Sequence, residues 1–93
     1  MAHGLLPPGG VSRAIRHRTV EEVWYVLAGE AEIWRRLGAD EQIITATTGA
    51  SLTIPIGAEF QFRTIGDELF QFIMVTMPPW PGEDEATFVD GVW

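Results

Sequence analysis

The stretch RHRTVEEVWYVLAGEAEIW, residues 16 to 34, holds the side chains best suited to chemistry. His17 stands five positions before Glu22, Glu21 lies beside it, and an apolar run follows as far as Gly29. An imidazole near a carboxylate can bind a divalent cation, or can move protons as a general acid or base. Burial beside a carboxylate stabilises an imidazole as imidazolium, which is one way such a base is tuned. With no further partner, the same two groups form a hydrogen-bonded polar pair inside a core, and that reading stands beside the others.

What the chain lacks narrows the choice. There is no Cys, which removes disulfides, zinc–thiolate centres and thiol nucleophiles. There is no Lys, all six basic residues being Arg, which removes Schiff-base chemistry and a phosphate-loop lysine. The imidazoles are His3 and His17, and His3 falls in a flexible-looking terminus. A stable first-row metal site generally needs three protein ligands, whereas the inward faces here offer His17 and Glu22, with Glu21 pointing away by parity. A divalent metal is therefore the minor expectation, and no cofactor the major one. Ser12 and Ser51 lack the elbow motif of serine hydrolases. The acidic run Glu83-Asp84-Glu85 lacks the alternating oxygens of a calcium loop and reads as a solvated face.

Thirteen acids against six bases give a net charge of −7, which argues against nucleic-acid or anionic-membrane partners. No apolar run approaches the roughly 18 residues of a membrane span, and MAHGLLPPGG has no signal-peptide core. The expectation is a cytoplasmic protein with a small-molecule ligand. Ninety-three residues suit one domain with a modest core, so a homodimer that hides more apolar area is expected.

The elements that must position these residues are strands. Period-2 runs of β-branched and aromatic residues recur at 11–17, 22–28, 31–37, 42–47, 51–55, 59–65 and 69–76, while helical periodicity is nearly missing. Turn signals separate them, among them Gly29-Glu30, Thr48-Gly49, Pro55-Ile56-Gly57 and Gly66-Asp67. Short strands joined by tight turns imply an antiparallel sandwich or barrel. The division is an N-terminal arm at 1–8, a barrel at 9–77 and a Pro-rich acidic tail at 78–93. Pro78, Pro79 and Pro81 forbid a central strand, so the tail is expected to lie extended on the surface, anchored by Trp80, Phe88 and Trp93.

Strand alternation groups the candidates by face: Arg13, Ile15 and His17; Glu22, Trp24 and Val26; Phe60, Phe62 and Thr64. Trp24, Phe60 and Phe62 can stack on a flat ligand or simply fill a core. Arg13 can clamp a carboxylate or phosphate, or snorkel to water. Tyr25 and Trp34 suit a dimer face, where aromatics are enriched.

This spacing resembles the cupin superfamily. Its first motif, G-x5-H-x-H-x3,4-E-x6-G, is matched by Gly9, Ile15, His17, Glu22 and Gly29. Its second, G-x5-P-x-G-x2-H-x3-N, is matched by Gly49, Pro55, Gly57, Phe60 and Thr64. The resemblance covers residues 9 to 77 and implies an all-β fold, an antiparallel jelly-roll barrel. In metal-binding members three histidines and the glutamate hold one divalent ion. Carried over, those positions are Ile15, His17, Phe60 and Glu22, and hydrocarbon at Ile15 and Phe60 offers no lone pair.

Three functions follow from the sequence. The leading one is a metal-independent pocket for a small, partly apolar organic ligand, formed by Arg13, Ile15, Trp24, Phe60, Phe62 and Thr64 around His17 and Glu22. The second is an enzyme in which His17 and Glu22 are the catalytic acid-base pair, for isomerisation or cyclisation, or hold a weak metal centre. The third is a purely structural oligomerisation module. Cupin folds host many activities, so the fold alone does not choose.

Overall fold

Alternation decides which face of each strand turns inward. In the strand Glu21–Ala28, Glu22, Trp24 and Val26 are buried, while Tyr25 and Leu27 between them are exposed. The computed structural model describes residues 1–79 and 85–93, and these form nine strands. They are β1 (Ala2–Leu6), β2 (Ile15–His17), β3 (Glu21–Ala28), β4 (Glu30–Leu37), β5 (Asp40–Thr47), β6 (Ser51–Ile54), β7 (Glu59–Ile65), β8 (Phe70–Met77) and β9 (Ala86–Phe88). Two antiparallel sheets, β1-β8-β3-β6 and β5-β4-β7-β2-β9, face each other as a jelly roll. Among the described residues no helix is long and apolar enough to cross a membrane.

The glycines of both sequence motifs adopt φ between 77° and 88°, the left-handed region that β-carbons disfavour. Gly29 is the most constrained, because a Cβ there would lie 2.6 Å from the carbonyl oxygen of Leu69. That turn can therefore be tight only with glycine.

One end of the space between the sheets is filled. Val26, Ala31, Ile33, Phe70 and Phe72 pack there, each of these side chains larger than alanine contributing roughly 1.5–3 kcal/mol relative to exposure. Trp24 stacks on Phe72 at 4.2 Å between ring centroids and meets Phe62 edge-on at 5.0 Å. The register places Glu22 opposite Thr76, Trp24 opposite Met74 and Ile15 opposite Phe60, so these residues gather at the other end.

The N-terminal arm contains a full edge strand. β1 pairs with β8 from Ala2↔Met74 to Leu6↔Phe70, so His3 lies in a ladder rather than in a loose terminus. Its glycine hid it, since Gly reads as a turn signal. Here Gly4 is needed because a Cβ would run into the Phe72 ring. The expected strand 11–17 shrinks to Ile15–His17, preceded by a single bridge between Val11 and Arg63.

The tail adds β9 to β2 and then lies along the outside of β7. Gln61 donates to the carbonyl of Trp93 (3.3 Å) and accepts from the backbone N–H groups of Val92 (2.9 Å) and Trp93 (3.1 Å). Arg63 stacks over the Trp93 ring at 4.4 Å, and Arg13 over Phe88 at 4.5 Å. Trp80, Pro81, Glu83 and Asp84 lie outside the described residues. Trp34 is buried, donating to Glu41 at 2.6 Å, and so is not on an open face; Tyr25 is, at 50% exposure.

Candidate functional site

β2 ends at His17 and β3 begins at Glu21, so a three-residue turn, 18–20, sets where His17 stands relative to Glu22. Glu85 fastens that turn. Its carboxylate accepts from the backbone N–H groups of Thr19 (2.6 Å) and Val20 (2.9 Å) and from the Thr19 hydroxyl (2.5 Å). Its own carbonyl accepts from the Arg18 N–H at 2.9 Å. Desolvation pushes the Glu85 carboxyl pKa up, but the hydrogen bonds from Thr19, Val20 and Arg18 outweigh it and hold the value down to about 2. Glu85 is thus a buried anchor, 4% exposed, and not part of a solvated acidic face. Composition cannot separate the two, because the difference lies in donors 65 and 66 residues away.

With the turn held, His17 Nε2 pairs with Glu22 Oε2. The other carboxylate oxygen, Oε1, accepts from the Trp24 indole N–H at 2.7 Å. The three side chains are 1%, 3% and 1% exposed. Such a buried pair is costly to desolvate and stays put only when its hydrogen bonds are met, as the indole helps to do here. The Phe60 ring lies 5.3 Å from the imidazole, so this polar cluster is walled by hydrocarbon.

The cluster lines a cavity of about 670 Å³, within the roughly 300–1,000 Å³ range of small-molecule sites. Ile15 and His17 of β2, Glu22 and Trp24 of β3, and Phe60 and Phe62 of β7 are all on its wall. Phe72, Met74 and Thr76 of β8 complete it, with Met1, Ala2, Val75 and Pro79 also contributing. Six of the eight expected site residues are therefore brought together.

Arg13 and Thr64 are not. Arg13 precedes the first residue of β2, where the ladder no longer enforces alternation, and its guanidinium lies outside against Phe88. Thr64 shares the inward face of β7, but its partner across the ladder is Ala31, at the filled end. There its hydroxyl donates to the Leu6 carbonyl at 2.8 Å. The β8 contribution was missed because both sequence motifs end before it. Its alternation of Phe70, Phe72, Met74 and Thr76 is the signal that carried it.

The donor set does not suit the divalent ion of the metal-binding members. Ile15 and Phe60 occupy two of the four ligand positions, which leaves His17 and Glu22, fewer than the three protein ligands a stable site generally needs. Among the described residues, no three His, Asp or Glu side chains are grouped to hold a metal ion. What the arrangement can do is present one hydrogen-bonded carboxylate–imidazole pair to an otherwise apolar, aromatic space.

Sequence comparison matches residues 2–76 to the family described as Cupin domain. No curated protein matches. Among solved structures, an oxalate decarboxylase from Lactobacillus farciminis, in its formate complex, is 27% identical with a TM-score of 0.74, over 80% of this chain and 22% of that one. The capsular polysaccharide assembling protein CapF of Staphylococcus aureus is 22% identical with a TM-score of 0.78, over 96% of this chain and 27% of that one. Drosophila melanogaster CENP-C is 12% identical with a TM-score of 0.75, over 80% and 55%. The chain thus spans about a fifth to just over half of these three structures.

Proposed function

The chain belongs to the cupin domain family, and from that premise we propose that its barrel is a metal-independent receptacle for a small, partly apolar organic ligand. The observation that carries this reading is the cavity of about 670 Å³, whose aromatic wall is interrupted by the Glu22–His17 pair. Apolar walls supply affinity, and one or two fixed polar groups supply orientation. Oxalate chemistry is not carried over from the Lactobacillus farciminis enzyme, because no lysine or arginine side chain lines the cavity to receive a dianion.

The test is a titration of chelator-treated protein with the neutral fluorophore N-phenyl-1-naphthylamine. Saturable binding at one site per chain that is lost when Met74→Trp fills the cavity supports the reading. No saturable binding by the folded wild type overturns it.

Acid-base catalysis has its own supporting observation, since His17 and Glu22 form a buried pair on the cavity wall. In that reading the pair exchanges a proton with a bound molecule, and turnover shows a pH limb that His17→Ala removes.

A further inference from the structure

The chemistry of the cavity wall points to one class of occupant, an inference that rests on the ligand-site reading above. Each oxygen of Glu22 holds one donor, Trp24 Nε1 at Oε1 and His17 Nε2 at Oε2. An ionised carboxylate accepts about four hydrogen bonds, so acceptor capacity remains toward the cavity. Thr76 stands directly across the ladder from Glu22 and also lines the cavity, so a hydroxyl-bearing residue is on the same wall. A carboxylate residue and a hydroxyl residue on adjacent strands thus line one apolar space.

Cationic side chains are elsewhere, and the one positive group among the lining residues is the amino terminus of Met1, a residue 92% exposed. The chain has no lysine, and none of its arginines lines the cavity. Arg36 is paired with Glu59 and Arg63 with Glu32, both at 2.7 Å; Arg35 donates to Gln42 at 2.9 Å, and Arg13 covers Phe88. An anion entering here would lose water and, apart from the solvent-exposed amino terminus of Met1, meet an imidazole already paired with Glu22, which is costly. A cation gains a carboxylate residue, a hydroxyl residue and a wall of aromatic rings, Trp24, Phe60, Phe62 and Phe72. The net charge of −7 acts in the same direction over longer range.

We infer that the cavity takes an organic amine, its ammonium group held between Glu22 and Thr76 and its apolar body against the aromatic wall. Selection between ligands of like shape is then made by charge.

The experiment is displacement of bound N-phenyl-1-naphthylamine by two compounds of similar size and opposite charge, phenethylamine and 3-phenylpropionate. Phenethylamine is expected to displace the probe at a concentration at least about tenfold lower than 3-phenylpropionate does. Glu22→Gln, which keeps the shape and an oxygen for Trp24, is expected to erase that difference. If the probe binds but the anion competes equally or better, or neither compound competes, the amine assignment falls and the ligand-site reading stands. If the wild type does not bind the probe at all, both fall.

Discussion

Glu85 reaches back 66 residues to Thr19 and closes, with three hydrogen bonds accepted by its carboxylate, the turn that sets His17 beside Glu22. The contact joins the tail to the candidate site. It makes Glu85 a positioning residue, acting on the cavity through the backbone of the 18–20 turn and not by touching its contents.

That contact has a defined pH dependence. The folded-state pKa of Glu85, about 2, lies below the ordinary 4.5, so its stabilisation is complete above pH 4.5 and disappears as pH falls toward 2. Denaturant unfolding of wild type and Glu85→Gln should show a constant difference above pH 4.5 that closes by pH 2. A difference that does not change with pH would mean that the carboxylate charge is not what the turn uses.

The Glu22–His17 pair should be harder to break than to neutralise. His17→Leu leaves Glu22 buried beside hydrocarbon and should cost about 3 kcal/mol. Adding Glu22→Gln removes that charge while its carbonyl still accepts from the Trp24 indole, so the double variant should regain most of the loss. Equilibrium unfolding of the two variants checks this, and a double variant no more stable than His17→Leu would refute it.

Gly91 allows the tail to dock. A Cβ at this position would overlap the carboxamide of Gln61 and come 2.8 Å from the Ala14 side chain. Gln61 is buried and cannot retreat without losing its bonds to Ser12, Val92 and Trp93. Gly91→Ala should therefore cost about 1–3 kcal/mol and speed hydrogen exchange at the Val92 amide. Unchanged exchange would show that the tail accommodates the methyl group.

A homodimer is proposed through the outer face of the β1-β8-β3-β6 sheet. That face exposes Leu5, Tyr25, Leu27 and Val75, and Tyr25 has Ser51 and Ile73, both uncharged, opposite it on the flanking strands. The paired charges Arg36–Glu59 and Arg63–Glu32 belong to the other sheet, so the like charge that two copies bring to this face is limited to Glu21, at the start of β3. Sedimentation should give a dimer that Tyr25→Glu converts to monomer. A monomeric wild type would remove this interface.

The fold was legible because strand alternation and glycine-anchored turns are local. Glu22, Trp24 and Val26 turn inward as their parity requires, and Gly49 and Gly57 take the positive φ read from their motif. The elements that escaped depend on partners distant in sequence. β1 is a strand because β8 pairs with it, and its Gly4 has meaning only under Phe72. The site was legible in part: Ile15, His17, Glu22 and Phe60 follow from motif spacing and Trp24 and Phe62 from strand alternation, whereas Arg13 leaves the cavity because the ladder starts two residues after it. Glu85 could not be told from its acidic neighbours, since burial of a carboxylate depends on donors that composition does not record.

The central claim is that this barrel works without a metal ion. The direct measurement is metal content by mass spectrometry on untagged protein, before and after incubation with Mn²⁺, Fe²⁺, Ni²⁺ or Zn²⁺, with N-phenyl-1-naphthylamine binding measured on each sample. The expected result is metal far below one per chain and the same probe affinity throughout. Near-stoichiometric metal that disappears in His17→Ala would contradict the claim and make the Glu22–His17 pair part of a metal centre.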